Sequence, residues 1–199
     1  MRNLEPRAGP LIEPGAACAT PADLARVAVV GTSGSGKTLL ARLLARRLDC
    51  PCHELDAMYW RPNWQPAPAE DFRRSVQAAV AGERWVIDGN YSVVRDLIWP
   101  RATAVVWLNH SFPVVFARSV ARALRRIVRR EELFSGNRES IRMTFFSRGS
   151  ILLWVLQTYS RNRRRYRELR AGGDFPHLHW YELRSPRQAE AFVQSLRER

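Results

Sequence analysis

Residues Gly31 to Thr38 read Gly-Thr-Ser-Gly-Ser-Gly-Lys-Thr and hold the only lysine of a 199-residue chain in which the other strongly basic side chains are all arginine. Backbone N–H groups converge on phosphate oxygens where glycine permits close approach and unusual torsions. Gly31, Gly34 and Gly36 supply that freedom, with Ser33 and Ser35 between them. Lys37 is placed to reach β- and γ-phosphates, and the Thr38 hydroxyl can ligate Mg²⁺. The segment fits G-x-x-x-x-G-K-[ST], follows the apolar run Val27-Ala28-Val29-Val30 and precedes a helical pattern of Leu39, Leu40, Leu43, Leu44 and Leu48. That strand, loop and helix context is what a phosphate-binding loop requires, and it points to a nucleoside triphosphate.

Two carboxylates stand where they can complete such a site. Asp88 closes Trp85-Val86-Ile87-Asp88 and is followed by glycine. From there it can hold Mg²⁺ opposite Thr38, or simply make an Asp-Gly turn. Asp56 ends His53-Glu54-Leu55-Asp56 and can take the proton of an attacking hydroxyl, help with the metal, or serve as a helix cap. Tyr59 and Trp60 follow, with Pro62 and Trp64, in an aromatic loop that either stacks on an acceptor or packs on itself.

Arginines form two clusters. Arg118, Arg122, Arg125, Arg126 and Arg129 recur at helical spacing beside a stripe of Val115, Ala121, Leu124 and Val128, which predicts one buried face and one cationic face. Arg161, Arg163, Arg164, Arg165 and Arg167 follow on the next helix. Phosphoryl transfer spreads negative charge over the migrating group, and arginines on a mobile element can close over it; an arginine on a solvated face does nothing of the kind.

Alternating short apolar and longer amphipathic runs position these groups. Strands are expected at about Arg26–Val30, His53–Asp56, Trp85–Asp88, Ala104–Asn109 and Leu178–Leu183. Helices are expected at about Lys37–Leu48, Ala69–Ala81, Val93–Trp99, Pro113–Arg130, Ser150–Leu169 and Pro186–Arg197. This alternation means a parallel sheet covered on both faces, with ligands beyond the carboxyl ends of the strands. The net charge of +13 and 46% hydrophobic residues fit one globular domain with polyanionic ligands. Residues 1–24, rich in Pro, Ala and Gly, read as a disordered extension before a domain over 25–199. Three cysteines give no disulfide framework, as in a reducing cytoplasm, and Cys50, Cys52 and His53 lack the further ligands a zinc site needs. No apolar run is long enough for a membrane span.

The phosphate loop, Leu55-Asp56-Ala57-Met58-Tyr59-Trp60, Asp88-Gly89-Asn90-Tyr91-Ser92, Glu132-Leu133-Phe134-Ser135-Gly136-Asn137-Arg138-Glu139 and Tyr181-Glu182-Leu183-Arg184-Ser185-Pro186 together resemble the adenylate-kinase-like P-loop kinases. Within them the chain is most similar to the bacterial topology modulation proteins, from about Arg26 onward. The resemblance implies a three-layer α/β fold, a five-stranded sheet in the order 2-3-1-4-5, an arginine-bearing lid near 131–147 and an adenine pocket near Ser185 and Pro186; Arg118 is a further candidate for binding the nucleotide. It implies ATP and Mg²⁺. Monophosphate kinases carry Asp-Gly-Phe-Pro-Arg where this chain has Asp88-Gly89-Asn90-Tyr91-Ser92, so the acceptor-phosphate arginine is missing there, and Arg95 is its candidate substitute.

The reading is an ATP-dependent kinase acting on a hydroxyl of a small polar molecule, nucleoside-like or sugar-bearing. Lys37, Asp56, Arg122 and Arg126 are its candidate catalytic residues, and Thr38 and Asp88 its metal ligands. Asp56, Tyr59, Trp60, Asp88, Asn90, Tyr91, Arg95 and Arg161 are the candidates for the acceptor. Two alternatives stand beside it: a nucleoside monophosphate kinase, and a nucleotide-regulated nucleic-acid-binding protein, against which counts the absence of a groove-reading motif. A cytoplasmic monomer or homodimer is expected.

Overall fold

The computed structural model describes residues 23–129, 134–136 and 151–196. Five parallel strands make one sheet: β1 Arg26–Gly31, β2 Cys52–Glu54, β3 Trp85–Asp88, β4 Ala104–Leu108 and β5 His179–Leu183. Their lateral order is β2-β3-β1-β4-β5, the order implied by the resemblance. A short antiparallel ribbon, Trp60–Arg61 against Gln65–Pro66, stands outside the sheet and has no counterpart in the expected elements.

Val27, Val29, Val86, Ala104 and Val106 point to one side of the sheet and Ala28, Ile87, Val105 and Trp107 to the other, and all are buried. Central strands buried on both faces explain the near-continuous apolar runs from which they were read. The first side is covered by α1 Lys37–Leu48 and α7 Pro186–Ser195, through Leu40, Leu44, Leu48, Phe192 and Val193. The second is covered by α3 Ala69–Ala79, α4 Arg95–Ile98 and α6 Ile151–Ala171, through Phe72, Val76, Ile98 and Tyr166. Leu24, placed within the expected extension, is fully buried in the core, so the folded body already includes it; residues 1–22 of that extension lie outside the described residues.

Two expectations change. The strand expected to end at Asp56 stops at Glu54, and a five-residue helix, α2 Leu55–Tyr59, begins there with Asp56 in its first turn. The long helix α5 Phe112–Arg129 does not bury Val115, Ala121, Leu124 and Val128. Only Val115 of these is buried; Leu124 and Val128 are 50% and 81% exposed, and the inward face is Val115, Ser119 and Ala123. The reason is close approach: a side chain on Gly34 would begin 2.0 Å from the Ser119 hydroxyl oxygen and 2.9 Å from the Val115 carbonyl oxygen. Small residues, not large apolar ones, let the phosphate loop lie against α5. Most of the expected lid lies outside the described residues; within 134–136, Ser135 donates from its hydroxyl to the Trp60 carbonyl at 2.8 Å.

Candidate functional site

The loop Thr32–Gly36 joins β1 to α1 at the carboxyl end of the sheet. α1 begins at Lys37 with no side-chain cap and no acidic residue in its first turn, which leaves its first N–H groups and its positive dipole end available to an anion. The Lys37 ammonium donates to the Thr32 carbonyl at 3.3 Å. Burial lowers its pKa, with the charges of Asp88 and Asp56 opposing that shift and Arg122 adding to it, so those four groups share one electrostatic field.

Asp88 is buried at the end of β3 and its Oδ2 accepts the Thr38 hydroxyl proton at 2.5 Å. Its other oxygen, Oδ1, is buried with no hydrogen-bond partner. Burial raises its pKa, opposed by Lys37 and by the Thr38 hydrogen bond. A hydroxyl and a carboxylate in contact, with one carboxylate oxygen unsatisfied, fit Mg²⁺, which takes one or two protein oxygens and fills its shell with water and phosphate.

The three residues after Asp88 each hold another part of the site. Gly89 packs so closely on Leu55 that an added Cβ would lie 2.7 Å from that side chain, which fixes α2 against β3. Asn90, expected at the acceptor, is instead spent on the phosphate loop: its Oδ1 accepts the Gly31 N–H at 3.1 Å and its amide donates to the Gly31 carbonyl. Tyr91 donates its hydroxyl to Asp56 Oδ1 at 2.6 Å. One tetrapeptide therefore sets Thr38, the loop and Asp56 relative to one another. Burial, then the Asp56 charge, pushes the Tyr91 phenol up, so it stays the donor in that bond.

Tyr59 and Trp60 pack chiefly on neighbours. Tyr59 lies 4.9 Å from Trp60, 5.1 Å from Phe72 and 4.7 Å from Tyr91 between ring centroids, and Trp60 lies 5.7 Å from Trp64. The cluster builds the wall beside α2, which carries Asp56.

Arginines of α5 lean on the loop. Arg122 donates to the Ser33 hydroxyl at 3.1 Å and Arg118 to the Ser35 carbonyl at 3.4 Å. Arg126 is half-buried one turn beyond Arg122, whereas Arg161 stands exposed on α6. On α6 it is Arg163, named in the second cluster but given no role there, that reaches inward: it donates to the Tyr159 hydroxyl at 3.0 Å, and Tyr159 donates to the His110 carbonyl at 3.0 Å. Only spacing on the helix marked that arginine.

On the other side of the loop is a cleft of about 330 Å³ lined by Ser35, Gly36, Leu39, Leu43, His110, Arg118 and Pro186. Pro186 is where the adenine pocket was expected. Ser185 is not free for a ligand as its sequence position implied, because its hydroxyl accepts the Gln188 N–H at 3.2 Å and caps α7. His110, which the sequence did not bring forward, is buried in the cleft wall with 2% of its surface exposed. Burial, then the nearby Arg118 charge, lowers its pKa to about 4, the Ser185 backbone opposing. A base whose folded pKa is depressed contributes stability that is whole above its ordinary value and is lost as pH falls toward the folded value. Wild-type protein should thus lose up to roughly 3 kcal/mol of unfolding free energy from this group between about pH 6.5 and pH 4. Urea midpoints at pH 7 and pH 4.5 check it: His110→Leu should show a smaller acid loss than wild type, and equal losses would remove His110 as the cause.

Together the sheet order, the loop and the Thr38–Asp88 pair define a P-loop NTPase fold. The family "ATPase family associated with various cellular activities (AAA)" matches residues 27–88, from β1 to the end of β3. Among solved structures, the chain is similar to shikimate kinase from Bacteroides thetaiotaomicron, with 18% identity, a TM-score of 0.54 and coverage of 86% of this chain and 95% of that one. It is also similar to a gluconokinase from Sinorhizobium meliloti, with 19% identity, a TM-score of 0.50 and coverage of 87% and 91%. For shikimate kinase from Acinetobacter baumannii in complex with shikimate, the identity is 16%, the TM-score 0.53 and the coverage 87% and 90%. No curated protein matches the chain significantly in sequence. Among the described residues no helix is long and apolar enough to cross a membrane.

Proposed function

We propose that the chain is an ATP-dependent phosphotransferase that moves the γ-phosphoryl group to a hydroxyl of a small polar molecule. The observation that carries this reading is the contact between Tyr91 and Asp56 beside the Lys37 loop, because it presents a carboxylate at a fixed place next to the phosphate-binding residues. The fold likeness to kinases of shikimate and gluconate, both hydroxyl acceptors, supports the same class.

In this mechanism the cleft at Pro186 and Arg118 takes the adenine, and the loop N–H groups with Lys37 hold the β- and γ-phosphates. Thr38 and Asp88 would hold Mg²⁺, which when bound neutralises charge between those phosphates. Asp56, fixed by Tyr91, accepts the proton of the attacking hydroxyl as the oxygen–phosphorus bond forms and the bond to the β-phosphate oxygen breaks. Arg122 and Arg126 stabilise the charge spread over the transferring group. The narrower similarity to topology modulation proteins leaves the acceptor open within this class, and we place the protein in the cytoplasm as a monomer or homodimer.

The test is a screen of nucleosides, nucleotides, sugars, sugar acids and aminoglycoside- or nucleoside-type antibiotics with labelled ATP and Mg²⁺. Label in a hydroxyl ester supports the reading; label only in nucleoside diphosphates moves it to a monophosphate kinase. Transfer to none, with salt-dependent retention on DNA, removes it. Arg122→Ala should then cut turnover by about a hundredfold while changing ATP affinity little, since an interaction made mainly in the transition state raises kcat. Steady-state kinetics beside direct ATP-binding titration separate the two quantities, and loss of affinity at unchanged kcat would confine Arg122 to ground-state binding.

A further inference from the structure

Glu182 stands on β5 in register with Trp107 of β4, and only 9% of its side chain is exposed. A carboxylate buried this far is costly unless hydrogen bonds and opposite charge meet it. Both do. Oε1 accepts the Asn109 side-chain amide at 2.6 Å and Arg184 Nε at 3.1 Å, while Oε2 accepts Arg184 Nη2 and Arg170 Nη1, each at 3.4 Å. Arg184 therefore closes a fork across both oxygens, and Arg170 arrives from the last turn of α6. Burial works against the Glu182 charge, but the hydrogen bonds from Arg184 and Asn109, and the charges of Arg184 and Arg170, outweigh it and hold its pKa below the ordinary glutamate value.

Two of these partners flank the cleft beside the phosphate loop. Asn109 follows β4 and lies between Leu108 and His110, both in the cleft lining; Arg184 follows β5 and lies two residues before Pro186, also in the lining. Glu182 itself is not part of that lining. Asn109 is 5% exposed and its Oδ1 has no partner, so the bond to Glu182 is the only hydrogen bond its side chain makes among the described residues. The pairing of β4 with β5 ends at Leu108 and Leu183, followed by one more bond from the Asn109 N–H to the Leu183 carbonyl at 2.9 Å. Past that bond the Glu182 carboxylate ties the two segments, with Asn109 on one oxygen and the Arg184 fork across both.

Resting on the phosphotransferase reading, in which this cleft takes the adenine, we propose that Glu182 is a positioning residue for the nucleotide. Its carboxylate sets the separation of the segments that carry His110 and Pro186, and with it the width of the cleft between α1, α7 and the phosphate loop. It acts without touching the nucleotide. The phosphate loop is held by other groups, Asn90 on Gly31 and the α5 arginines on Ser33 and Ser35. The affinity that comes from base and ribose thus depends on Glu182, and the affinity that comes from the phosphates does not.

The test compares the β,γ-imido analogue of ATP with inorganic tripolyphosphate, which lacks base and ribose, each titrated with Mg²⁺ into the full chain by calorimetry. In Glu182→Gln, whose amide nitrogen faces guanidinium donors instead of accepting them, the analogue should bind about tenfold more weakly, as for loss of charged hydrogen bonds. Tripolyphosphate should bind as in wild type. Glu182→Asp keeps the charge and should recover part of the loss. Arg184→Gln alters a side chain that is 62% exposed, where folding is not at issue, and should weaken the analogue several-fold. In the double variant Glu182→Gln with Arg184→Gln the loss should fall short of the sum of the two, because both break one link. Should Glu182→Gln fail to fold, Glu182→Asp and Arg184→Gln decide by the same comparison. Analogue binding that is unchanged in the folded variants, or weakened equally with tripolyphosphate, overturns the proposal and leaves the phosphotransferase reading in place. Wild-type protein that binds neither probe strikes that reading, and the role of Glu182 falls with it.

Discussion

Lys37→Ala should abolish phosphoryl transfer, lowering turnover by about a thousandfold or more, while the protein stays folded. The charge is positioned by the start of α1, and it belongs to the chain's only lysine. Arg122 and Arg118 flank the loop through Ser33 and Ser35, but neither replaces a cation that rises from the helix N-terminus itself. Stability should change little because two effects oppose each other. Burial works against the Lys37 charge, so removing it relieves desolvation; Asp88 and Asp56 favour that charge, so removing it also loses their attraction. The loop shape rests on glycine and on Asn90, neither of which the substitution touches. Transfer from labelled ATP and the thermal midpoint, measured on one preparation, check both halves. Wild-type turnover in a folded mutant would take ATP chemistry out of the reading.

Asp56→Asn should lower kcat by about two to four orders of magnitude, the usual worth of a general base. A hydroxyl acceptor loses a proton as it attacks, whereas a monophosphate acceptor is already ionised near neutral pH and needs no base. The substitution is mild structurally. The Asn side-chain carbonyl can still accept the Tyr91 hydroxyl, and the exposed position leaves no buried group stranded. Turnover per folded molecule, with the folded fraction measured in the same sample, is the deciding quantity. A stable mutant with near-normal kcat would transfer the assignment to a monophosphate kinase.

Part of this site was legible because its chemistry is local. A phosphate loop needs glycine, lysine and a hydroxyl within eight consecutive residues, so Gly31–Thr38 declares itself, and so does the apolar strand that ends in Asp88. Asn90 and Ser185 show the limit. Both are polar, and both flank the expected ligands in sequence, yet one bonds to the Gly31 peptide and the other to the N–H of Gln188. Nothing in residue type distinguishes a polar group turned to a ligand from one turned to the backbone. The arginine stripe shows it again, since the hydrophobic pattern of α5 named Leu124 and Val128 as inward, and the close seat of Gly34 on Ser119 turned them out.

By itself the sequence determined the class of sheet, the strand that ends in Asp88 and the phosphate loop. These follow from patterns of a few neighbouring residues: apolar runs for strands buried on both faces, a period near 3.6 for helices, glycine and lysine for the phosphates. Only the tertiary structure decided that Asp56 stands in a helix turn under the Tyr91 hydroxyl, 35 residues away. It decided equally that Asp96 serves Arg73, and that His110 is buried in the wall of the cleft beside the phosphate loop. Each of these depends on which of several equally suitable partners lies within hydrogen-bonding reach. That distance is set by how α2, α4 and α6 pack on the sheet, and residue spacing along the chain carries no record of it.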